Sequence, residues 1–143
     1  MPKFAMPFQS DIGARKFAGL DQFTRGYVEA MFWTDIDASD DPKLSRATFE
    51  KLAPDTMSRI TADCQSFQAL SAADLASALK KSSGCTAMAA GLDFWCTRNG
   101  QGVGFWDGDW PEPEATRLSK RAKNFGSVWV YAGDDGRIYA SNG

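Results

Sequence analysis

The segment "LDFWCTRNGQGVGFWDGDW", residues 92–110, constrains the fold more than any other part of the chain. It carries three of the five tryptophans, and Asn99-Gly100 lies near its centre. Asn-Gly between apolar residues is the strongest short-range signal for a β-hairpin, because a two-residue type I′ turn needs positive φ at both central positions. The segment therefore predicts a hairpin centred on this turn.

The register that this turn imposes separates two faces of the predicted hairpin. Phe94 lies opposite Phe105 on one face, whereas Trp95 and Trp106 lie on the other. The aliphatic and phenylalanine face is expected to meet the helices, which leaves the tryptophan face for packing or for binding.

A second hairpin is predicted at the C-terminus, where "SVWVYA" and "RIYAS" flank a turn at residues 133–136. Two registers fit this turn, and the sequence leaves both open. In either register Trp129 and Tyr131 face opposite to Val128 and Val130, because side chains alternate along a strand. Together with Tyr139 they extend the aromatic face of the predicted sheet.

Helical periodicity predicts four helices, at residues 22–33, 54–69, 71–84 and 113–125. Asp21 suits the N-cap of the first helix, and Gly26 within it leaves room for a neighbouring backbone. Ser71 suits the N-cap of the third helix, with Asp74 at the position where a capping box prefers Glu or Gln. The order is three helices, hairpin, helix, hairpin. This order predicts an α+β fold with a small, mostly antiparallel sheet.

The first 18 residues show no clear period, so residues 1–18 are predicted to form an extended arm and residues 19–143 a single α+β domain. Phe4, Phe8 and Phe17 are expected to pack onto that domain, because a loose arm would expose three large apolar rings.

Composition argues against several functions. The net charge of -2 is too small for whole-molecule attraction to nucleic acid or for mimicry of DNA. Three cysteines without a C-x-x-C pair indicate neither a disulfide framework nor a zinc site, and no cofactor is implied. Histidine is absent, which removes the usual general base. No apolar run reaches membrane-span length and the start lacks a signal-peptide core, so a cytoplasmic protein without a membrane partner is expected.

Four stretches of the chain together resemble a family of small uncharacterised proteins of bacteriophages and prophages. They are "RGYVEAMFWTD" at 25–35, "DFWCTRNGQGVGFWD" at 93–107, "AKNFG" at 122–126 and "GDDGRIY" at 133–139. The resemblance covers most of the chain from about residue 20. It implies an accessory role inside a bacterial host cell, and it supplies no catalytic residue because the family has no assigned activity. The chain departs from the family at Leu92 and Gln101, where relatives are expected to have histidine.

The leading hypothesis is a phage-encoded, non-enzymatic binding protein that contacts a host protein, such as a component of a defence system. Tryptophan, tyrosine and arginine dominate the hot spots of protein interfaces. The predicted binding residues are Trp95, Arg98, Trp106, Asp107, Trp110, Trp129 and Tyr131. A homodimer through the same face fits equally well. The structural alternative is that the N-terminal arm covers this face and forms a second small core.

Two further hypotheses use other side chains. A nucleic-acid-binding accessory protein would combine the aromatic face with a basic helix surface, whose cations are Arg117, Lys120, Arg121 and Lys123. The alternative for this helix surface is an ordinary solvated face. A small-molecule or carbohydrate site, with or without catalysis, would use the carboxylates that flank the aromatic hairpin, namely Asp93, Asp107 and Asp109.

Overall fold

The computed structural model describes residues 5–142, which form six α-helices, a π-helical segment, a 3₁₀ turn and a two-stranded sheet. In chain order these are α1 (Asp11–Ala18), α2 (Gln22–Met31), the π-helical segment (Phe32–Ile36), α3 (Pro42–Ser45), the 3₁₀ turn (Phe49–Lys51), α4 (Pro54–Lys81), α5 (Ala87–Arg98), α6 (Glu114–Asn124), β1 (Val128–Ala132) and β2 (Ile138–Asn142). The predicted α+β class is confirmed. No helix within the described residues is long and apolar enough to cross a membrane.

Helices α2 and α5 form the centre of the fold and approach each other at two glycines. A Cβ at Gly26 would collide with the main chain of Met88, and a Cβ at Gly91 would collide with the main chain of Phe23. Backbones come this close only where no side chain separates them. The expectation that Gly26 admits a neighbouring backbone is therefore confirmed.

Helix α2 begins where the sequence predicted. The Asp21 carboxylate accepts a hydrogen bond from the Thr24 N–H at 2.7 Å and so satisfies one of the free donors of the first turn. The helix continues into the π-helical segment Phe32–Ile36, which the 3.6-residue pattern did not indicate.

Residues 87–98 form helix α5, so the predicted strand that begins the first hairpin is wrong. Thr86 caps the helix, its hydroxyl accepting from the Ala89 N–H at 3.2 Å. Asn99 has φ −101° and only Gly100 is left-handed, at φ 66°. A type I′ turn needs positive φ at both positions, whereas one left-handed glycine is how many helices end. Asn99-Gly100 therefore terminates α5.

Burial on every side explains why α5 resembled a strand. Residues 93–98 are all buried, including Asp93 and Arg98. A helix surrounded by protein carries no polar face, so the 3.6-residue period disappears from its sequence. The two halves of the segment still meet, because the Phe105 N–H donates to the Thr97 hydroxyl at 3.1 Å and folds the following loop back onto α5.

One continuous helix, α4, replaces the two helices predicted at 54–69 and 71–84. Ser71 was expected to cap the second of them, but its hydroxyl accepts from Arg121 of α6 at 3.1 Å. Asp74, expected in the same capping box, pairs with Arg117 and Arg121. The side chains that suggested a helix start instead hold α6 against α4.

Helix α6 and the C-terminal hairpin agree with the sequence prediction. Helix α6 lies within the predicted range of residues 113–125, and Ala115, Leu118 and Ala122 form its buried apolar stripe. Tyr131 of β1 lies opposite Tyr139 of β2 in the antiparallel pair, which settles the register that the sequence left open. This pair is the only sheet within residues 5–142, so one of the two predicted hairpins is present.

The predicted extended arm is largely helical, because residues 11–18 form α1 with Ser10 as its N-cap. Phe8 and Phe17 pack against each other and against Phe49, with ring centroids 5.3–6.1 Å apart, so the expected packing of the arm is confirmed for these two rings. Phe4 lies outside the described residues. The two rings cover the 3₁₀ turn at Phe49, and the expectation that they cover the tryptophan face is wrong.

Candidate functional site

Two of the predicted binding tryptophans belong to the core. Trp95 is fully buried, its indole N–H donates to the Thr34 hydroxyl at 2.8 Å, and its ring meets Tyr27 edge-on at 5.3 Å. Trp110 is buried as well, and its ring lies 5.0 Å from that of Phe105. The prediction that these rings form a binding surface is wrong, because both satisfy their polar N–H inside the protein, as buried tryptophans usually do.

Arg98 is also structural. Its guanidinium donates to the Asp63 carboxylate at 2.8 Å and to the main-chain oxygens of Gly126 and Phe125 at 2.8 and 3.0 Å. It lies over the Phe94 ring at 5.3 Å. Arg98 thus joins α5 to α4 and to the end of α6, so its assignment to the binding face is wrong.

The carboxylates around the segment are engaged in the fold. Asp93 is only 8% exposed, and its Oδ2 accepts from the Trp110 indole N–H at 2.6 Å. Burial raises the pKa of the Asp93 carboxyl to about 6, and the nearby Asp107 and Asp109 act in the same direction. The exposed Asp107 accepts from the main-chain N–H groups of Gly104 and Asp109 at 3.3 and 3.2 Å, and so shapes the loop.

Trp106 is the one predicted residue of the central segment whose ring is open to solvent, with 53% of its surface exposed. Its neighbour Phe105 is fully buried. The indole lies over Gly104, where a Cβ would collide with its Nε1 atom. The loop therefore presents the exposed Trp106 ring between two buried aromatic residues, Phe105 and Trp110.

A cleft of about 330 Å³ lies beside Trp106 along one face of α6, and we call it the α6 cleft. Its lining residues are Trp106, Glu112, Ala115, Thr116, Ser119, Lys120 and Lys123. The buried Ser119 hydroxyl has no hydrogen-bond partner, although a helical serine commonly bonds the carbonyl four residues earlier. Thr116 and Ser119 were not predicted from the sequence, although their spacing places them on one helix face with Lys120 and Lys123.

The predicted basic surface of α6 divides into two pairs. Arg117 and Arg121 bind the Asp74 carboxylate of α4 at 2.7 and 3.0 Å, and the Arg117 hydrogen bond lowers the pKa of Asp74. Lys120 and Lys123 are exposed, and neither forms a salt bridge with the residues that the structure describes. The helix therefore offers two available cations where the sequence indicated four.

The C-terminal hairpin carries Trp129, the most exposed aromatic side chain within residues 5–142. Trp129 is 63% exposed and stacks on Tyr131 at 4.9 Å, and Tyr131 stacks on Tyr139 at 5.8 Å. We call these three residues the aromatic ladder. Trp129, Tyr131 and Tyr139 therefore share one face of the sheet, as the sequence predicted.

The structure thus separates the predicted residues into a core set and two surfaces. Within residues 5–142, no group of three or more His, Cys, Asp or Glu side chains is arranged to hold a metal ion. Comparison of the chain with protein-family models, with curated proteins and with solved structures returned no match.

Proposed function

We propose that this is a non-enzymatic binding protein that docks on another protein through the aromatic ladder. The observation that carries the proposal is the 63% exposure of Trp129, whose indole is stacked on Tyr131 at 4.9 Å. An indole ordered by stacking loses little conformational freedom on binding, and tryptophan and tyrosine are the commonest hot-spot residues.

The charges near the ladder favour a protein over a nucleic acid. Two carboxylates and two guanidiniums lie around Tyr139. Its hydroxyl donates to Asp135, and Asp55 is also close enough to raise its pKa. The cations are Arg137 and Arg59, whose guanidinium donates to the Ala140 carbonyl at 2.8 Å. A strand of phosphates needs a cationic groove, which this balanced set of charges does not provide. The proposed partner therefore presents an apolar pocket for Trp129 with a rim that carries both charges.

We further propose, from the resemblance of the sequence to phage proteins, that this partner is a protein of a bacterial host that the phage has reason to inhibit or recruit. This part of the proposal rests on the motif resemblance of the sequence. A defence-system component remains the specific prediction, and a second copy of the chain is the competing occupant of the ladder.

The test compares two exposed tryptophans that lie on different surfaces. Wild type, Trp129→Ser and Trp106→Ser are immobilised, and a lysate of the bacterial host is passed over each at high salt. A protein retained by wild type is purified, and its Kd is measured by calorimetry against all three. We expect Trp129→Ser to raise the Kd about 30-fold, the effect of losing a hot spot, and Trp106→Ser to leave it unchanged.

Two results would contradict the proposal. The first is a Kd that is equal for wild type and Trp129→Ser. The second is a wild type that elutes as a dimer in size-exclusion chromatography and becomes a monomer on Trp129→Ser, because the occupant would then be a second copy of this chain.

A further inference from the structure

We propose that the α6 cleft is a binding site for a nucleotide, with the base stacked on Trp106 and the phosphate held by Lys120 and Lys123. This site is separate from the aromatic ladder and goes beyond the proposed function. Three observations converge on it: an exposed ring held by its loop, two cations without carboxylate partners, and an unpartnered hydroxyl.

The aromatic wall of the cleft is fixed in place. Asp107 accepts from the Gly104 N–H and closes the turn that carries Trp106, and Phe105 anchors the turn in the core with its ring 5.8 Å from that of Phe67. A ring presented in this way is ready to stack on a planar ligand, and stacking accepts any base because every base has a π-face.

The cationic end of the cleft is set by helix geometry. Lys120 and Lys123 are three residues apart, so their Cβ atoms lie on the same side of α6 about 5–6 Å apart. Their ammonium groups are therefore able to reach one phosphate together, and lysine binds phosphate as a point charge. The one carboxylate in the lining, Glu112, lies toward the helix start and accepts from the Thr116 N–H and hydroxyl at 2.8–2.9 Å.

Ser119 supplies the observation that points most directly to a ligand. The residue is 8% exposed, lines the cleft beside Lys120, and keeps a buried hydroxyl without a partner. Such a group is costly unless something bonds to it. The hydroxyl oxygen itself is closed to solvent, so a rotation of the Ser119 side chain about χ1 would bring it to a phosphate or ribose oxygen in the cleft. The volume of about 330 Å³ is at the small end of ligand sites and suits one nucleotide.

The experiment titrates the protein with adenosine 5′-monophosphate, with adenosine and with inorganic phosphate, and follows binding by calorimetry. We expect saturable binding of the monophosphate below about 1 mM, the weak end of specific affinities, and at least tenfold weaker binding of adenosine and of phosphate alone. A short oligothymidylate is titrated as well. If it binds more tightly than the monophosphate through the same residues, the site stands and single-stranded nucleic acid is the source of the nucleotide.

Three variants locate the site, and a fourth is the control. Trp106→Leu and the double variant Lys120→Gln/Lys123→Gln are each expected to raise the Kd about tenfold, because each removes one half of the recognition. Ser119→Ala is expected to raise the Kd of the monophosphate several-fold while leaving the fold intact. A hydroxyl that does not contact the ligand would leave the Kd unchanged. Trp129→Ser is the control, and it should bind the monophosphate as wild type does.

The proposal is overturned if wild type shows no saturable binding of the monophosphate or of the oligonucleotide up to millimolar concentration. It is also overturned if binding is the same in wild type, Trp106→Leu and Lys120→Gln/Lys123→Gln. Trp129→Ser tests the aromatic ladder and Trp106→Leu tests the α6 cleft. Either proposal can therefore fail without affecting the test of the other.

Discussion

The burial of the Asp93 carboxyl makes the stability of the fold depend on pH. Burial raises its pKa from the ordinary value of 3.8 to about 6. The folded chain therefore holds this proton more tightly than the unfolded chain does. The stability that Asp93 contributes is present below about pH 4 and is lost as the pH rises through about 6, which amounts to roughly 3 kcal/mol for a shift of this size.

The variant Asp93→Asn removes this charge and keeps an oxygen that can accept from the Trp110 indole N–H. We predict that the free energy of unfolding of Asp93→Asn relative to wild type increases by up to about 3 kcal/mol between pH 4 and pH 7. Urea unfolding at several pH values measures it, with the exposed Asp134→Asn as control. A relative stability that stays constant over this range would contradict the prediction.

Asn99-Gly100 marks the limit of what single residues predict. The requirement for positive φ was predicted correctly at Gly100 and wrongly at Asn99. Both a hairpin turn and a helix end place a glycine in the left-handed region, so the dipeptide alone does not distinguish them. The decision depends on whether the preceding residues are buried on one side or on all sides, which is a property of the tertiary fold.

At the scale of elements, the contact of α2 with α5 is the most sensitive to substitution. We predict that Gly26→Ala and Gly91→Ala each destabilise the protein by about 1–3 kcal/mol or more, because the added Cβ meets main-chain atoms of the facing helix, which cannot move as a side chain can. The higher helix propensity of alanine offsets only about 1 kcal/mol of this.

Gly19→Ala is the matched control for this prediction. Gly19 has φ −77°, and a Cβ there would make only ordinary contacts. We expect its urea midpoint to equal or slightly exceed that of wild type. Midpoints for Gly26→Ala and Gly91→Ala that match the control would show that the two helices are not held at these glycines.

Three elements with a solvated face, α2, α6 and the final hairpin, were predicted well, whereas the enclosed helix α5 was not. α2, α6 and the final hairpin each keep a polar or exposed side, which leaves a period in the sequence. α4 was divided at Ser71 because its polar residues there bond to α6 and imitate a capping box. Only part of the α6 cleft was predicted from the sequence. Asp74 of α4 neutralises Arg117 and Arg121 and leaves Lys120 and Lys123 available, and this depends on how the two helices pack.

At the scale of the whole molecule, four of the five tryptophans divide between the core and the surface. Trp95 and Trp110 complete the core and satisfy their N–H groups there, whereas Trp106 and Trp129 stand on two separate surfaces. The sequence indicated an unusual concentration of aromatic residues, but it could not assign each ring to a side. That assignment required knowing that residues 93–98 form a buried helix.

The measurement that tests this division most directly is equilibrium urea unfolding of Trp129→Ser beside Trp95→Ala. We predict that Trp129→Ser loses less than about 1 kcal/mol, the worth of its stacking on Tyr131, because its ring is mostly in water. Trp95→Ala should lose about 3–5 kcal/mol, as expected for a large buried ring. Similar losses of several kcal/mol in both variants would contradict the account, because Trp129 would then be part of what folds the protein rather than what it presents to a partner.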